Sequence, residues 1–322
     1  MNKSVGQLVL YGLSMLCAGQ SVAQDFPVKP VRLVVPFPPG GSSDAVARIL
    51  AERLTDEWKQ PMVVDNKPGG GTTIASAFVA ASPPDGYTLY LQGVSTYAST
   101  GSLYKNLSFD ALKGFTPVSM VSTSPFILVA NPAVKATTAK ELVELGRAKP
   151  ESLSYGSSGS GGSPHLFVEM LARATGAKFL HVPYKGLGPA TVALLSGEVN
   201  FMVADVAVMP HVRAGKLRAL AVTTARHSDL VPGVPTMAES GVPGMVMPSA
   251  IAVLGPAGMP RDIVGTINAR INRVLANSEV RQKLIAQGFE PTGSSPEELE
   301  SMLSAEVRRF SQIIRDTGVK LD

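Results

Sequence analysis

The sequence has almost no cysteine: Cys17 is the only one among 322 residues. It lies in the first segment, MNKSVGQLVLYGLSMLCAGQSVA, which has one positive charge, a short apolar run and a small-residue ending. This layout is typical of a secretory signal peptide spanning residues 1–23. A lipoprotein would need a small residue before the cysteine, but Leu16 stands there. We therefore predict cleavage after Ala23 and a mature chain without disulfides or thiol chemistry.

Long hydrophobic runs and blocks of one charge are also missing. No segment after residue 23 is apolar enough over a bilayer's thickness to predict a membrane span, so we expect an exported protein of the periplasm. The 29 Lys and Arg residues are scattered among 25 Asp and Glu residues, with a net charge of +4. This balance predicts no nucleic-acid partner; it is compatible with an anionic ligand but is weak evidence for one.

Motifs for nucleotide binding and catalysis are absent as well. No Gly-Lys-Ser/Thr follows a glycine loop, no G-x-G-x-x-G opens a helix after the first strand, and no G-x-S-x-G occurs. The histidines have no metal-ligand spacing to one another or to a carboxylate; they are His165, His181, His211 and His227. We interpret His181, within an apolar strand, as a core histidine. We expect no cofactor, no metal and no catalytic residue.

What the sequence does contain is a regular alternation of strand and helix patterns, which predicts parallel α/β layers. A chain of this length usually forms two domains. Residues 229–262 are rich in proline and predict a long irregular crossing, and the helices after it are expected to pack back on the first domain. The predicted division is residues 24–125 plus 226–322 for domain 1 and residues 126–225 for domain 2. The hinge strands then lie near residues 125 and 225.

Two turns rich in glycine and serine follow strands and open helices: PGGSSD (39–44) and GSSGSGGSPH (156–165). Such turns lie where helix N-termini present unpaired N–H groups and partial positive charge. Glycine lets the backbone approach a ligand closely, so this kind of site binds anions without Lys or Arg. One turn alone is more often a tight connection. Two of them, one in each predicted domain, predict a cleft that clamps a carboxylate.

Several residues near these turns have two possible roles. His165 either reaches the cleft or bonds a loop carbonyl, and Asp205 either accepts a ligand amino or hydroxyl group or caps the next helix. Phe37 and Tyr97 are expected in loops at the cleft mouth as pocket wall, with core packing as the alternative. Asp44 would repel a close anion, so its expected role is structural, in the first turn of its helix.

The two turns and their surroundings resemble a known family. The stretches FPVKPVRLVVPFPPGGSSDAVARILAERL, VVDNKPGGGTTIA, SYGSSGSGGSPHL, HVPYKGLGPA and PHVRAGKLRALAVTTARHS together resemble the solute receptors of tripartite tricarboxylate transporters, the TctC or Bug receptors. The resemblance covers nearly the whole mature chain. It implies a type II periplasmic binding protein fold, with two α/β domains hinged around a cleft.

The resemblance also implies that both turns hold one ligand carboxylate, partly through ordered water. The matching positions of the first loop are Phe37, Pro39, Gly40, Gly41, Ser42, Ser43 and Asp44. Those of the second loop are Ser157, Ser158, Gly159, Ser160, Gly161, Gly162, Ser163 and His165. Ser95 and Thr96 match a third cleft loop, and Asp205 matches a position near the distal pocket.

The sequence is therefore interpreted as a receptor that closes two domains on a small carboxylate and delivers it to a membrane permease. Ligand contacts to both domains form only in the closed state, so binding shifts the population toward closure. We expect a monomer. One alternative is a periplasmic sensor that feeds no transporter. Another, from a different class, is a serine-dependent hydrolase using Ser158 or Ser160 with His165.

Overall fold

The computed structural model describes residues 26–319, so the predicted signal peptide lies outside the described residues. The strands are β1 (Val31–Val35), β2 (Met62–Asn66), β3 (Thr88–Gly93), β4 (Phe115–Ser124), β5 (Ile127–Ala130), β6 (Ser154–Ser157), β7 (Leu180–Pro183), β8 (Phe201–Ala204), β9 (Arg218–Val222), β10 (Ser249–Pro256) and β11 (Glu290–Pro291). The α-helices are α1 (Ser42–Trp58), α2 (Thr73–Ala80), α3 (Val94–Leu103), α4 (Ala139–Ala148), α5 (Ser163–Thr175), α6 (Leu187–Ser196), α7 (Met209–Arg213), α8 (Arg261–Ala276), α9 (Ser278–Ala286) and α10 (Pro296–Thr317). None of the helices between residues 26 and 319 combines the length and apolar character of a membrane span.

The first sheet has six strands in the order β11-β4-β10-β3-β1-β2. The β1 strand pairs in parallel with β2 and β3, but β10 runs antiparallel between β3 and β4. The predicted parallel layer is therefore only partly present, because this sheet is mixed. The reason is the route of the chain: Ser249, which begins β10, lies opposite Ser124, which ends β4. The chain returns to the sheet at the same end of the strands at which it left. The β10 strand therefore runs antiparallel to β4.

The second sheet has five strands in the order β7-β6-β8-β5-β9 and is mixed for the same reason. The β6 strand is parallel to β7 and β8, whereas β5 is antiparallel to β8 and β9. Ile127 begins β5 opposite Ala204 and Val222, which end β8 and β9. The carboxyl ends of β6, β8 and β9 therefore all lie at the same end of this sheet. This is also the end at which β4 crosses over to β5. The carboxyl ends of β1, β3 and β4 in the first sheet lie at the same crossover.

The last helix contacts both sheets. Its N-terminus carries a capping box, Ser295 with Glu298. Leu299 packs in the apolar cluster beneath the first sheet, whereas Phe310 and Ile314 pack in a cluster with Tyr155 of the second sheet. The late helices were expected to pack back on the first domain; α10 packs there and also reaches the second sheet, because its apolar stripe is long enough to cover both.

Residues 223–248, which return the chain to the first sheet, pack on the second one. Val231 and Val234 lie in an apolar cluster with Met202 of β8, and Met237 lies in a cluster with Leu220 of β9. The predicted irregular crossing, residues 229–262, is longer than the irregular segment in the structure, because residues 249–256 within it form β10. The division into two domains stays a prediction, and this packing favours a second boundary near residue 248 over one near 226.

Candidate functional site

The first loop runs from the end of β1 into α1. Gly40 has a left-handed backbone (φ +85°), which a residue without Cβ adopts readily, and Gly41 is the helix N-cap. No side chain caps this helix start. The first-turn N–H groups, including those of Ser42 and Ser43, therefore face the loop without a side-chain acceptor. Both serines are half-buried, whereas residues 37–41 are exposed.

Asp44 holds this loop in shape. It is only 3% exposed, and its carboxylate accepts from the Gly40 N–H (2.9 Å), Arg48 Nε (2.9 Å) and Asn66 Nδ2 (3.0 Å). Burial works against its ionisation, but the hydrogen bonds from Arg48, the Gly40 amide and Asn66 outweigh burial and lower its pKa to about 2. The structural role expected for Asp44 agrees with these contacts. Arg48 and Asn66 are supporting residues that the sequence analysis missed.

The second loop runs from β6 into α5. The N-cap of α5 is Gly162, again without a side-chain cap, so the helix begins at Ser163. Gly159 and Gly161 have left-handed backbones (φ +129° and +77°). Ser160 is exposed, whereas Ser158 and Ser163 are half-buried. Both glycine/serine loops thus end in uncapped helix N-termini, an arrangement that favours anions.

A histidine pair, with His165 buried and His181 half-buried, supports the second loop. The Gly161 N–H donates to His165 Nδ1 at 2.9 Å, and Ser157 Oγ lies 2.7 Å from His181 Nε2. The two imidazoles stack, with centroids 3.9 Å apart and planes 6° from parallel. Burial lowers the pKa of His165 to about 4. Burial, then the neighbouring His165, lowers the pKa of His181 to about 4 against the opposing effect of Glu169.

These contacts change two sequence-based interpretations. His165 bonds a loop N–H rather than a loop carbonyl, because its Nδ1 is an acceptor. The hydrolase pairing of His165 with Ser158 or Ser160 is not formed, since the other ring nitrogen, Nε2, lies 3.9 Å from Glu169 Oε1. The Ser–His hydrogen bond that does form uses Ser157, which is fully buried and out of a substrate's reach.

The two sheets are bridged at the site by Asp205, which follows β8. Its Oδ2 accepts from Ser42 Oγ of the first loop at 2.9 Å, and its Oδ1 caps the next 3₁₀ turn through the Ala207 N–H at 3.1 Å. The helix-capping alternative is therefore realised, together with a bond that no sequence pattern indicated. The bridge places the first loop and the end of β8 within one hydrogen bond of each other.

The third predicted loop is the first turn of a helix, because α3 begins at Val94 directly after β3. Ser95 is buried and Thr96 half-buried there. Tyr97 is 8% exposed, stacks edge-on with Phe115 at 6.1 Å and donates to the Leu112 carbonyl. The pocket-wall interpretation is wrong for Tyr97, which is a core residue. Phe37 is exposed, so its role as pocket wall stays a prediction.

The partial positive charge of the two loops comes from the backbone. Neither loop contains Lys or Arg, and Arg48, just beyond the first, is engaged by Asp44 at 2.9 Å. Within residues 26–319 no group of three His, Cys, Asp or Glu side chains could hold a metal ion. Each of these helix N-termini can therefore attract a small anion, with nearby serine hydroxyls as further donors.

Comparison with known proteins agrees with this geometry. Residues 46–319 match the model of the tripartite tricarboxylate transporter family receptor. The protein BugT of Bordetella pertussis is 37% identical over 98% of both chains. An R. palustris protein whose structure was determined with adipate has a TM-score of 0.85 and 34% identity, covering 92% of this chain and all of its own. The periplasmic binding protein BugD has a TM-score of 0.82 and 31% identity over the same shares. The predicted fold, two α/β units of a periplasmic binding protein, is confirmed.

Proposed function

Since the chain belongs to the family of tripartite tricarboxylate transporter receptors, we propose how its own site performs the receptor's task. The first and second loops grip one carboxylate of a small ligand, and closure of the two domains around the ligand completes the contacts. The binding residues are those of the sequence prediction, except that Asp44, Ser157 and His165 support the loops. The uncapped N-termini of α1 and α5 are the observation that carries this proposal.

The energetics are adequate for a transport receptor. A hydrogen bond to a charged group contributes about 1.5–3 kcal/mol. Four or five such bonds from loop amides and serines, less the cost of ordering and closure, support binding at about micromolar Kd. Contacts from both loops exist only when the domains are closed, so the ligand shifts the population toward the closed state.

Delivery of the ligand to a membrane permease, in the periplasm and as a monomer, completes the proposal. We also propose that the protein does not turn its ligand over, because Ser157, which bonds His181 near the site, is fully buried. Incubation with a bound carboxylate should return it unchanged, and any product would contradict this part of the proposal. Loss of carboxylate uptake when either this protein or the permease is deleted would support the receptor, whereas uptake unaffected by deletion of this protein would favour the sensor.

A test of the site uses Gly41. Its φ is ordinary and a Cβ there would lie 3.8 Å from its nearest neighbour, so Gly41→Leu can fold unstrained while filling the space in front of the loop. We expect Gly41→Leu to abolish binding of adipate or of any other carboxylate found by a thermal-shift screen, with little change in Tm. Gly188→Leu is the matched control, since a Cβ at Gly188 meets nothing within 4 Å. Unaltered affinity in Gly41→Leu would contradict the cleft assignment.

A further inference from the structure

The second loop has an unusual support for a glycine-rich segment. Gly159, Gly161 and Gly162 give its backbone great conformational freedom, which costs entropy whenever the loop is fixed. The structure holds it with a side chain: the Gly161 N–H donates to His165 Nδ1 at 2.9 Å. We infer that His165 is a positioning residue, a neutral acceptor that fixes the second loop in its carboxylate-binding shape without touching the ligand.

The hydrogen bond fixes the protonation state of the ring. A backbone N–H can only donate, so Nδ1 must be unprotonated and the proton must lie on Nε2. Nε2 lies 3.9 Å from Glu169 Oε1, on the same helix. If Nδ1 also carried a proton, its N–H would face the Gly161 N–H, and two donors cannot bond to each other. The hydrogen bond that supports the loop would then be lost.

The surroundings keep the ring neutral. His165 is 7% exposed and lies face to face with His181 of β7, so a second proton would bring a charge beside another imidazole in a buried place. Tyr155 of β6 stacks on His181, with ring centroids 4.8 Å apart. The Tyr155 hydroxyl also donates to Glu169 Oε1 at 2.7 Å, so the Glu169 carboxylate near His165 has a hydrogen-bond partner other than His165. Within residues 26–319, the titratable groups that the contacts place beside His165 are Glu169 of α5, Tyr155 of β6 and His181 of β7. Burial lowers the pKa of His165 to about 4.

This inference rests on the proposed function and deepens it. A loop fixed before the ligand arrives spares the ligand the cost of ordering it, which raises affinity. The ligand's charge then meets backbone amides rather than an imidazolium. The residue acts through Gly161, and its removal should weaken binding even though the ligand does not contact it.

Two variants separate this role from simple core packing. Asn can place a side-chain oxygen near the position of Nδ1 and cannot take up a proton, so His165→Asn retains the acceptor. His165→Leu fills similar space without an acceptor. With adipate as probe at pH 7.5, we expect a Kd within about threefold of wild type for His165→Asn and at least about tenfold weaker for His165→Leu, the loss of one hydrogen bond. Equal weakening by both variants would overturn the inference.

The pH profile gives a second readout. Between pH 7.5 and 4, wild type should lose more adipate affinity than His165→Asn, because only wild type can protonate residue 165. Protonation of adipate itself is common to both proteins and cancels in the comparison. Parallel profiles would contradict the inference.

A third readout needs no ligand and so stays informative if adipate does not bind. In protein with ¹⁵N-labelled histidine, NMR at pH 7.5 should show His165 protonated at Nε2 alone, and the Gly161 amide should exchange slowly in wild type and His165→Asn but quickly in His165→Leu. A proton on Nδ1 of His165 would refute the inference whatever the ligand. Correct spectra without binding of any carboxylate would instead refute the proposed function.

Discussion

Replacing Asp44 with Asn should destabilise the protein by about 2 kcal/mol while changing the volume of the side chain very little. The carboxylate accepts from three donors, the Gly40 amide, Arg48 and Asn66, and an amide cannot accept on both sides. One donor would face an NH₂ group, at a cost of about 1–3 kcal/mol for a buried group. The pKa gives a similar figure: lowering it from 3.8 to about 2 corresponds to about 2 kcal/mol.

The assay is urea unfolding of the ligand-free protein at pH 7, with Asp56→Asn as the matched control. Asp56 lies on the same helix, but its ion pair with Arg53 is exposed, 3.8 Å long and expected to contribute well under 1 kcal/mol. The folded-state pKa of Asp44 is depressed, so its contribution is present above about pH 4 and is lost as the pH falls through 2. The difference between wild type and Asp44→Asn should shrink over that range. Equal effects of the two substitutions at pH 7 would refute the reasoning.

Three further predictions concern the bridge and the core. In a double-mutant cycle, Ser42→Ala and Asp205→Ala should show a coupling of about 1–3 kcal/mol in urea unfolding, as expected for a hydrogen bond to a carboxylate; additive effects would mean that the bond does not form in solution. Phe310→Ala should lower the free energy of unfolding by about 3–5 kcal/mol, because the ring is fully buried. Val192→Ala, at a side chain that is 66% exposed, should change the free energy of unfolding by no more than about 0.5 kcal/mol. Tyr97→Phe should lower stability by about 1 kcal/mol, the loss of one hydrogen bond to a backbone carbonyl, with unchanged ligand affinity; altered affinity would return Tyr97 to the pocket.

Local patterns predicted the strand–turn–helix units well. The turns before α1 and α5 have short-range signals: an apolar strand, then glycines and serines, then a helical apolar stripe. The capping box of α10 is likewise a local signal and is present in the structure. At α5 Gly162 takes the N-cap position, although Ser163, one residue later, is a more usual N-cap type.

Features that depend on distant parts of the chain were not predictable from these patterns. The direction of β10 follows from where the chain re-enters the first sheet. The apolar pattern of a buried strand is the same for a parallel and an antiparallel strand, so the sequence does not indicate this direction. The stack of His165 on His181 requires β6 and β7 to pair with Tyr155 opposite His181 and α5 to pack above them. The bond from Ser42 to Asp205 joins residues 163 positions apart. Sequence alone placed Ser42, His165 and Asp205 near the site but interpreted His181 as a core histidine, and it did not show which of these residues meet.

The central claim is that backbone amides at the ends of α1 and α5 grip the ligand's carboxylate. The most direct measurement is a crystal structure of the protein with a bound carboxylate such as adipate. The account predicts carboxylate oxygens within hydrogen-bond distance of N–H groups and serine hydroxyls from both loops, with no Lys or Arg side chain in contact. A carboxylate held outside these loops, or paired with a basic side chain, would contradict it.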